Sequence, residues 1–241
     1  VGFPLAIRLA TNGFRVIGID VNQERITRLE KNELLDSEIS LKDEFIKCRG
    51  ENLALSVKSS KNELSKVGII CVPTPIPSEK INSDIFVKKA VESFLENAKE
   101  GDCLILESSV EVGTTERMQE IIEEHGFKIG ESLGLSFCPE RIDPSNKEWG
   151  IENIPRIIYS SDDLTFKISK EVYNNVNKGN LIRVEHPKIA EVVKSFENAF
   201  RLVNISLVNE LAILCDNLGI NVKSVIDAAA TKPFGFLPHY P

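Results

Sequence analysis

Three polar side chains that could contact a ligand recur at helical spacing late in the chain. Lys194, Asn198 and Arg201 occupy positions i, i+4 and i+7, so a helix would stack an ammonium, an amide and a guanidinium on one face. A cluster of cations and N–H groups can bind an anionic small ligand even on a protein of negative net charge. The alternative is a solvated face on which Glu197 and Arg201 form a weak i,i+4 ion pair. The helix alone favours that alternative.

Three loops after strand-like segments also carry reactive or hydrogen-bonding groups. Thr74 lies between two prolines that fix the backbone around its hydroxyl. Residues 107–115 offer hydroxyls and backbone amides that could hold a phosphate or a water, although an ordinary helix N-cap explains them equally well. In the next loop Glu140 and Arg141 are adjacent, and they form either part of a site or a structural ion pair.

The beginning of the chain contains a signal for a dinucleotide that is weak on its own. Gly2 precedes a predicted helix (Pro4–Thr11), and Asp20 ends a predicted buried strand (Arg15–Asp20). In a dinucleotide-binding unit, the last glycine of the turn permits close helix–strand packing. An acid at the end of the second strand accepts the ribose hydroxyls of NAD and repels the 2′-phosphate of NADP. We therefore expect NAD as cofactor, in a unit whose first strand and earlier glycines are missing from the sequence.

Strand-like and helical segments alternate over most of the chain. The further predicted strands are Leu53–Val57, Val67–Val72, Asp102–Glu107, Leu133–Phe137, Pro155–Ser160 and Asn180–Glu185. The further predicted helices are Asn22–Glu30, Phe86–Lys99, Thr115–His125, Leu164–Asn175 and Pro187–Leu218. This alternation predicts an α/β fold with a doubly wound parallel sheet that binds ligands at the carboxyl ends of its strands.

The last predicted helix, Pro187–Leu218, is long enough to join two bodies. At about 1.5 Å per residue it measures roughly 45 Å, the width of a small domain. We predict a Rossmann-like NAD-binding domain over residues 1–180. Residues 181–241 would form the connecting helix and the first part of an all-α central domain.

Composition limits the possible functions. The 241 residues are 42% hydrophobic and 27% charged, as expected for a globular protein, and the net charge of -7 argues against nucleic acid as a partner. The five cysteines are widely spaced and show no metal-ligand spacing, so we expect buried thiols in a reduced, cytoplasmic protein and no bound metal. No signal peptide is visible, and no apolar run looks long enough to cross a membrane.

Seven segments together resemble the UDP-sugar 6-dehydrogenase family. In chain order they are VGFPLA, GID, CVPTP, ESSV with GTT, FCPERIDP, K-x-x-x-N-x-x-R and TKPFGFLPHYP. The resemblance spans the whole chain and is closest to the bacterial branch that oxidises UDP-N-acetylhexosamines, with UDP-N-acetylglucosamine as the expected substrate. Such acids usually enter surface polysaccharides.

The resemblance implies a set of binding and catalytic residues. The positions that match cofactor contacts are Val1, Gly2, Asp20, Arg25, Thr74 and Ser109. The positions that match substrate contacts are Glu140, Arg141, Ile142, Lys194, Asn198 and Arg201. Lys194 and Asn198 would polarise the alcohol oxygen and stabilise an oxyanion, and Glu140 would transfer a proton through a water. Ser109 stands where the family commonly has threonine, which keeps the hydroxyl.

The family reaction also needs a cysteine that the resemblance does not locate here. Two hydrides pass to two NAD while the C6 alcohol becomes an aldehyde and then a carboxylate, and a thiolate holds the aldehyde between the steps. The family places that cysteine in a Gly-Gly-x-Cys loop after the YP motif, so we expect these 241 residues alone to lack it and not to complete the oxidation. Cys138 is the one tempting substitute, but its context indicates strand packing. Ser145 and the pair Tyr159–Ser160 replace glycines that are usual in the family.

Two other functions stay open at this point. A β-hydroxyacid dehydrogenase has a similar fold and a similar Lys-x-x-x-Asn helix, although the CVPTP, PERIDP and TKPFGF segments argue against it. An NAD-binding module without turnover belongs to a different class. In the UDP-sugar family the central domain forms a homodimer, and the apolar stripe through Leu207, Leu211 and Leu214 is consistent with that.

Overall fold

The structure is a computed structural model that describes residues 1–59, 66–75, 82–142, 146 and 148–240. It divides into two compact units, Val1–Glu191 and Val192–Pro241. The sequence placed the domain boundary near residue 180. The division observed falls inside the long helix, between Glu191 and Val192.

The first unit alternates strands with helices, as predicted. Its helices are α1 (Gly2–Thr11), α2 (Gln23–Glu30), a 3₁₀ helix (Asp36–Leu41), α3 (Lys42–Arg49), α4 (Ile85–Leu95), α5 (Thr114–Glu124), α6 (Asp163–Asn174) and the first turn of α7 (Pro187–Asn217). Its strands are β1 (Val16–Ile19), β2 (Leu53–Ser56), β3 (Val67–Ile70), β4 (Asp102–Leu106), β5 (Leu133–Phe137), β6 (Arg156–Ser160) and β7 (Leu181–Val184). The 3₁₀ helix and α3 were not predicted from the sequence, because they carry few apolar residues.

The strands form two sheets. One contains β1 and β2, and the other has the order β3-β4-β5-β6-β7. All pairs are parallel except β5 with β6, in which Phe137 lies opposite Tyr159 in antiparallel register. The sheet is therefore parallel, as predicted, except at the pairing of β5 with β6. A parallel pair needs a crossover connection, usually a helix, and no helix lies between β5 and β6 in the described part of residues 138–155.

Side-chain caps begin several of these helices. The Asn22 side chain accepts hydrogen bonds from the backbone N–H groups of Glu24 and Arg25 at the start of α2. Asp162 accepts one from Thr165 at the start of α6, at 2.9 Å. Short polar side chains at this position satisfy N–H groups that have no partner within the helix, so these residues set where the helices begin.

Helices cover both faces of the larger sheet, which confirms the doubly wound arrangement. Every residue of β4 is buried, and alternate side chains contact opposite layers. Leu104 and Leu106 pack in a cluster with residues of α4 and α5, whereas Cys103 and Ile105 pack in a cluster that contains Tyr173 of α6. The sequence of a strand buried on both faces is almost continuously apolar, and that of Asp102–Leu106 is apolar after its first residue.

The second unit contains most of α7 and a further helix, α8 (Val222–Ala230). Gly219 takes a φ of +67° just after α7, as expected for a glycine that ends a helix. Several apolar side chains on α7 are more than half exposed, among them Phe196, Val203 and Leu207. An 18-residue stretch of α7 is also long and apolar enough to cross a membrane by length and composition, which corrects the statement made from the sequence. One such helix is weak evidence for a membrane segment.

Candidate active site

The predicted site residues of the first unit follow the carboxyl ends of parallel strands. Asp20 follows β1, Thr74 follows β3, Ser109 follows β4 and Glu140 follows β5. The ends of β3, β4 and β5 lie on one edge of the larger sheet because these strands are parallel neighbours. The hydroxyl of Ser108 donates to the Val72 carbonyl at 2.7 Å and so joins the loops that carry Thr74 and Ser109.

Asp20 is exposed at the end of β1 and has hydrogen-bonding capacity left. Its Oδ1 accepts the backbone N–H of Asn22 at 2.9 Å, which holds the start of the turn into α2. The other carboxylate oxygen has no partner among the described residues. An exposed acid oriented in this way suits the hydroxyls of a ribose.

The start of α1 lies very close to β3. A Cβ placed on Gly2 would stand 3.1 Å from the Cβ of Cys71, so a larger residue would push the helix away from the strand. That close approach is the role predicted for this glycine. Val1 is exposed just before the helix. The start of α1 and the loops after β1, β3 and β4 thus carry Gly2, Asp20, Thr74 and Ser109, which the sequence predicts to contact a cofactor.

Arg25 already has partners within the protein. Its Nη2 lies 2.6 Å from an oxygen of Glu38, and its guanidinium carbon lies 5.3 Å from the centre of the Phe3 ring. Its Nη1 is buried without a hydrogen-bond partner among the described residues. The structure therefore holds Arg25 at the base of α2, and its predicted contact with an adenosine stays a prediction.

A cluster of charged side chains that was not predicted from the sequence lies at the edge of the larger sheet where β3, β4 and β5 end. Arg156, the first residue of β6, donates from Nη1 to Glu107 at 2.5 Å and from Nη2 to Glu140 at 2.7 Å. The reversal of β6 explains this meeting, because it brings the amino end of β6 to the edge where β4 and β5 end. A lone arginine inside an apolar strand was the available signal, since such a residue is rarely buried without a partner.

The cluster extends from Glu107 to a thiol and a phenol. Cys71 and Tyr173 both contact the second oxygen of Glu107, at 3.7 and 3.4 Å. Burial raises the pKa of Glu107, and the charge of Arg156 opposes that shift. Burial also raises the pKa of Cys71 and Tyr173, with the carboxylate of Glu107 adding to both shifts. Cys71 and Tyr173 are therefore neutral hydrogen-bonding partners near neutral pH.

The loop after β5 is held by its own side chains. One oxygen of Glu140 accepts the backbone N–H groups of Arg141 and Ile142, at 2.6 and 2.7 Å. The Arg141 side chain donates to the Pro155 carbonyl at 2.8 Å. Residues 143–145, including the predicted departure at Ser145, lie outside the described residues. The other departure, at Ser160, is accommodated by a hydrogen bond between its hydroxyl and that of Ser136, at 2.7 Å.

The loop before α5 is contacted by a buried carboxylate from a distant part of the chain. Glu191, in the first part of α7, is fully buried and accepts hydrogen bonds from the N–H groups of Gly113 and Thr115, at 2.6 and 2.8 Å. The hydroxyl of Thr115 donates to the same carboxylate at 2.7 Å. Gly113, the residue before α5, provides no side-chain cap, and the distant Glu191 accepts these hydrogen bonds instead of an ordinary N-cap residue.

Lys194, Asn198 and Arg201 belong to the second unit. All three lie on α7, which confirms the helical spacing predicted from the sequence. Lys194 is half-buried, and Asn198 and Arg201 are exposed. Within the described residues, no group of three or more His, Cys, Asp and Glu side chains could hold a metal ion.

Four of the five cysteines are buried. All are free thiols, and Cys71 alone is more than slightly exposed. Cys138, the cysteine nearest in sequence to Glu140, is completely buried, and burial raises its pKa to about 12. Reactive cysteines have lowered pKa values and some exposure, so Cys138 is part of the core, as its strand context predicted.

Two family descriptions match the chain. Residues 1–177 match the NAD binding domain of the UDP-glucose/GDP-mannose dehydrogenase family, and residues 188–241 match the central domain of that family. The chain spans about half the length of the curated relatives it matches.

Individual relatives agree with these matches. The chain is 32% identical over 237 residues to UDP-N-acetyl-D-mannosamine dehydrogenase of Methanococcus maripaludis, covering 97% of this chain and 53% of the relative. It is 33% identical over 245 residues to UDP-N-acetyl-D-glucosamine 6-dehydrogenase of Pseudomonas aeruginosa, covering 100% and 56%. The solved structure of a UDP-N-acetyl-mannosamine dehydrogenase from Staphylococcus aureus superposes with a TM-score of 0.86 at 32% identity, covering 100% of this chain and 58% of that one.

Proposed function

Because the chain belongs to the UDP-glucose/GDP-mannose dehydrogenase family, we propose that its protein oxidises the C6 alcohol of a UDP-N-acetylhexosamine to the carboxylate with NAD. The observation that carries the proposal is the edge of the larger sheet at which Glu140 is held by Arg156 and by two backbone amides. A carboxylate fixed in this way, in a loop beside those of Thr74 and Ser109, can serve proton transfer next to a cofactor.

The first unit would bind the cofactor. Asp20 would accept the ribose hydroxyls, and Thr74 and Ser109 would donate from their hydroxyls. Gly2 would allow the backbone to approach closely, and Val1 and Arg25 would border the nucleotide. NAD supplies a hydride acceptor when it is bound. The open carboxylate oxygen of Asp20 and the close approach at Gly2 support this assignment.

The remaining assigned residues would act on the sugar. Lys194 and Asn198 would contact the oxygen at C6 and stabilise negative charge on it, and Glu140 would take its proton through a water. Arg141, Ile142 and Arg201 would hold other parts of the substrate. The complete reaction consumes one water and two NAD for each alcohol converted into a carboxylate. A cysteine would have to hold the aldehyde, and none of the five is assigned that part.

Two epimeric substrates deserve comparison. We propose UDP-N-acetylglucosamine first because of the PERIDP and TKPFGF segments. UDP-N-acetylmannosamine is the second candidate, because relatives with that name match the chain at 32% identity. We also propose a cytoplasmic protein that forms a homodimer through the central domain, for the exposed apolar side chains of α7 suit such an interface.

The test measures NADH formation by the purified full-length protein. UDP-N-acetylglucosamine, UDP-N-acetylmannosamine and UDP-glucose are supplied separately with NAD, and the sugar acid is counted alongside NADH. We expect two NADH for each acid from one of the two N-acetylhexosamines, and much slower turnover of UDP-glucose. NADH formation from a short 3-hydroxyacid instead would support the β-hydroxyacid dehydrogenase alternative. NAD binding without turnover of any substrate would support a non-catalytic module.

A further inference from the structure

Arg156 is a cation enclosed in the core. It is 1% exposed at the start of β6, and its guanidinium carbon lies 4.8 Å from the centre of the Tyr173 ring. Removing a guanidinium from water costs several kcal/mol unless anions and hydrogen bonds offset the cost. The buried guanidinium of Arg156 is therefore stable only with such partners, and the positions of these partners indicate the role of the residue.

Two carboxylates contact Arg156, but one would suffice for charge balance. Glu107 is completely buried and lies 2.5 Å from Nη1, so this pair alone is neutral. Glu140 is the second partner, 2.7 Å from Nη2, and its side chain is 12% exposed. The contact with Glu140 is not needed to neutralise the charge of Arg156. We therefore consider what this contact does to the Glu140 side chain.

The contact fixes the orientation of the Glu140 carboxylate. One oxygen accepts two backbone N–H groups, and the other accepts Arg156. Rotation of the carboxylate would break at least one of these bonds. Arginine is suited to this arrangement because its planar guanidinium can serve two acceptors at fixed angles, whereas a lysine ammonium is a point charge.

We propose that Arg156 is a positioning residue that holds the Glu140 carboxylate in the orientation in which it receives the proton of the substrate alcohol. The role given to Glu140 rests on the proposed function. The ion pair between Arg156 and Glu140, which we call the clamp, rests on the structure alone. Arg156 itself touches neither cofactor nor substrate in this proposal.

A double-mutant cycle in the full-length protein tests the proposal. Arg156→Met is made alone and together with Glu140→Gln, and kcat and KM are measured for all four proteins. If Arg156 acts through Glu140, Arg156→Met lowers kcat by roughly tenfold to a hundredfold in the parent and by less than about threefold when Glu140 is already Gln. KM for the UDP-sugar changes little. Equal losses of kcat in both backgrounds would overturn the proposal, because a structural role does not depend on Glu140.

Lys66→Met is the matched control. Lys66 pairs with the buried Asp102 at the opposite end of β4, at 3.9 Å, and its loss also weakens a charged contact of the sheet. Its effect on kcat should be the same with and without Glu140→Gln. If Arg156→Met does not fold, Arg156→Lys takes its place, since it keeps a cation beside Glu107 but cannot hold both carboxylates as arginine does.

Chemical unfolding of the same four proteins separates failure of this inference from failure of the proposed function. The clamp predicts that Arg156 and Glu140 are coupled in the unfolding equilibrium constant by about a factor of ten, whatever the substrate is. Additive effects on unfolding would overturn the inference even if the enzyme is active. A protein with coupled residues but no UDP-sugar oxidation would refute the proposed function and support the clamp.

Discussion

The carboxylate of Glu191 accepts hydrogen bonds from both the backbone N–H and the hydroxyl of Thr115, at 2.8 and 2.7 Å. Thr115 lies in the first turn of α5, and Glu191 lies in the first part of α7. Negative charge at a helix N-terminus is favourable because the unpaired N–H groups there carry partial positive charge. A glutamate of the chain itself thus fills a position that the sequence alone left open for a phosphate.

Replacing Glu191 should destabilise the first unit. Glu191→Gln removes the charge and one acceptor from a buried cap, so we expect a loss of about 1–3 kcal/mol in the free energy of unfolding. Glu116→Gln is the control, because Glu116 of α5 forms exposed contacts with Lys188 of α7 and with His186 just before that helix. Urea unfolding followed by circular dichroism should give a much smaller change for Glu116→Gln. Similar changes for both variants would contradict the importance of the buried cap.

Asp20 should make the enzyme prefer NAD over NADP. A carboxylate near the ribose repels a 2′-phosphate, and like charges placed together cost several kcal/mol. Asp20→Asn keeps an oxygen that can accept the Asn22 N–H and removes only the charge. We expect the ratio of kcat/KM for NAD to that for NADP to fall by about tenfold or more in this variant. If the parent enzyme uses both cofactors equally, the assignment of Asp20 to the cofactor site is wrong.

Lys194→Ala should lower kcat far more than it weakens NAD binding. A donor aimed at an oxygen that gains negative charge is typically worth roughly 3–4 kcal/mol in the transition state. Lys188→Ala provides the comparison on the same helix, since Lys188 contacts Glu116 at 2.5 Å and has no role in the proposed reaction. The measurements are steady-state kinetics and NAD titration. Near-normal turnover of Lys194→Ala would contradict a catalytic role for Lys194 and support the alternative that it belongs to a solvated helix face.

Asp162 should contribute a pH-dependent part of the stability of the first unit. Partial burial acts to raise its pKa, but hydrogen bonds from Thr165 and Ser161 outweigh burial and lower it. A lowered pKa means that the stabilisation is present above the pKa of unfolded aspartate and is lost as the pH falls through the folded value. Asp162→Ala should cost about 1 kcal/mol near neutral pH and progressively less in acid. Asp162→Asn keeps a capping acceptor and should remove most of the pH dependence; an unchanged difference between parent and Asp162→Ala in acid would contradict the assignment.

The cysteines should resist alkylation in the native protein. Burial raises the pKa of Cys103 and Cys138 to about 12, and it raises that of Cys71 well above the usual value. Thiolates react and thiols do not, so iodoacetamide at mildly alkaline pH should leave these residues unmodified. Mass spectrometry should find all five cysteines modified after unfolding in guanidinium. Rapid modification of Cys138 in the native state would show that its surroundings are not a closed core.

The periodic pattern of the sequence predicted the parts of the fold that depend on local preference. Strand β4 and helix α7 follow from apolar runs and from the proline and glycine at the helix ends, and the structure places them within one or two residues of the prediction. The place of Asp20, directly after a short apolar strand, also followed from this pattern, whereas its contact with a cofactor stays a prediction.

The charged clamp escaped prediction because strand direction is not a local property. An apolar run such as Arg156–Ser160 reads the same in a parallel and an antiparallel pair. If β6 were parallel to β5, Arg156 would lie at the edge away from Glu140, so the predicted fold did not bring the two residues together. The contacts of Glu191 were not predicted for a related reason, since its partners Gly113 and Thr115 are 78 and 76 residues away.

The long sequence separation of these contacts bears on how the first unit folds. Arg156 follows Glu107 by 49 residues and Glu140 by 16 residues. A chain in which β3, β4 and β5 have assembled without β6 would leave the Glu107 carboxylate without its cation, a state that is expensive at low dielectric. Partly assembled sheets are thereby disfavoured, and distant contacts of this kind also slow the search for the native topology. The same ion pairs that orient Glu140 therefore make the larger sheet cooperative, so that the site and the sheet form in one step.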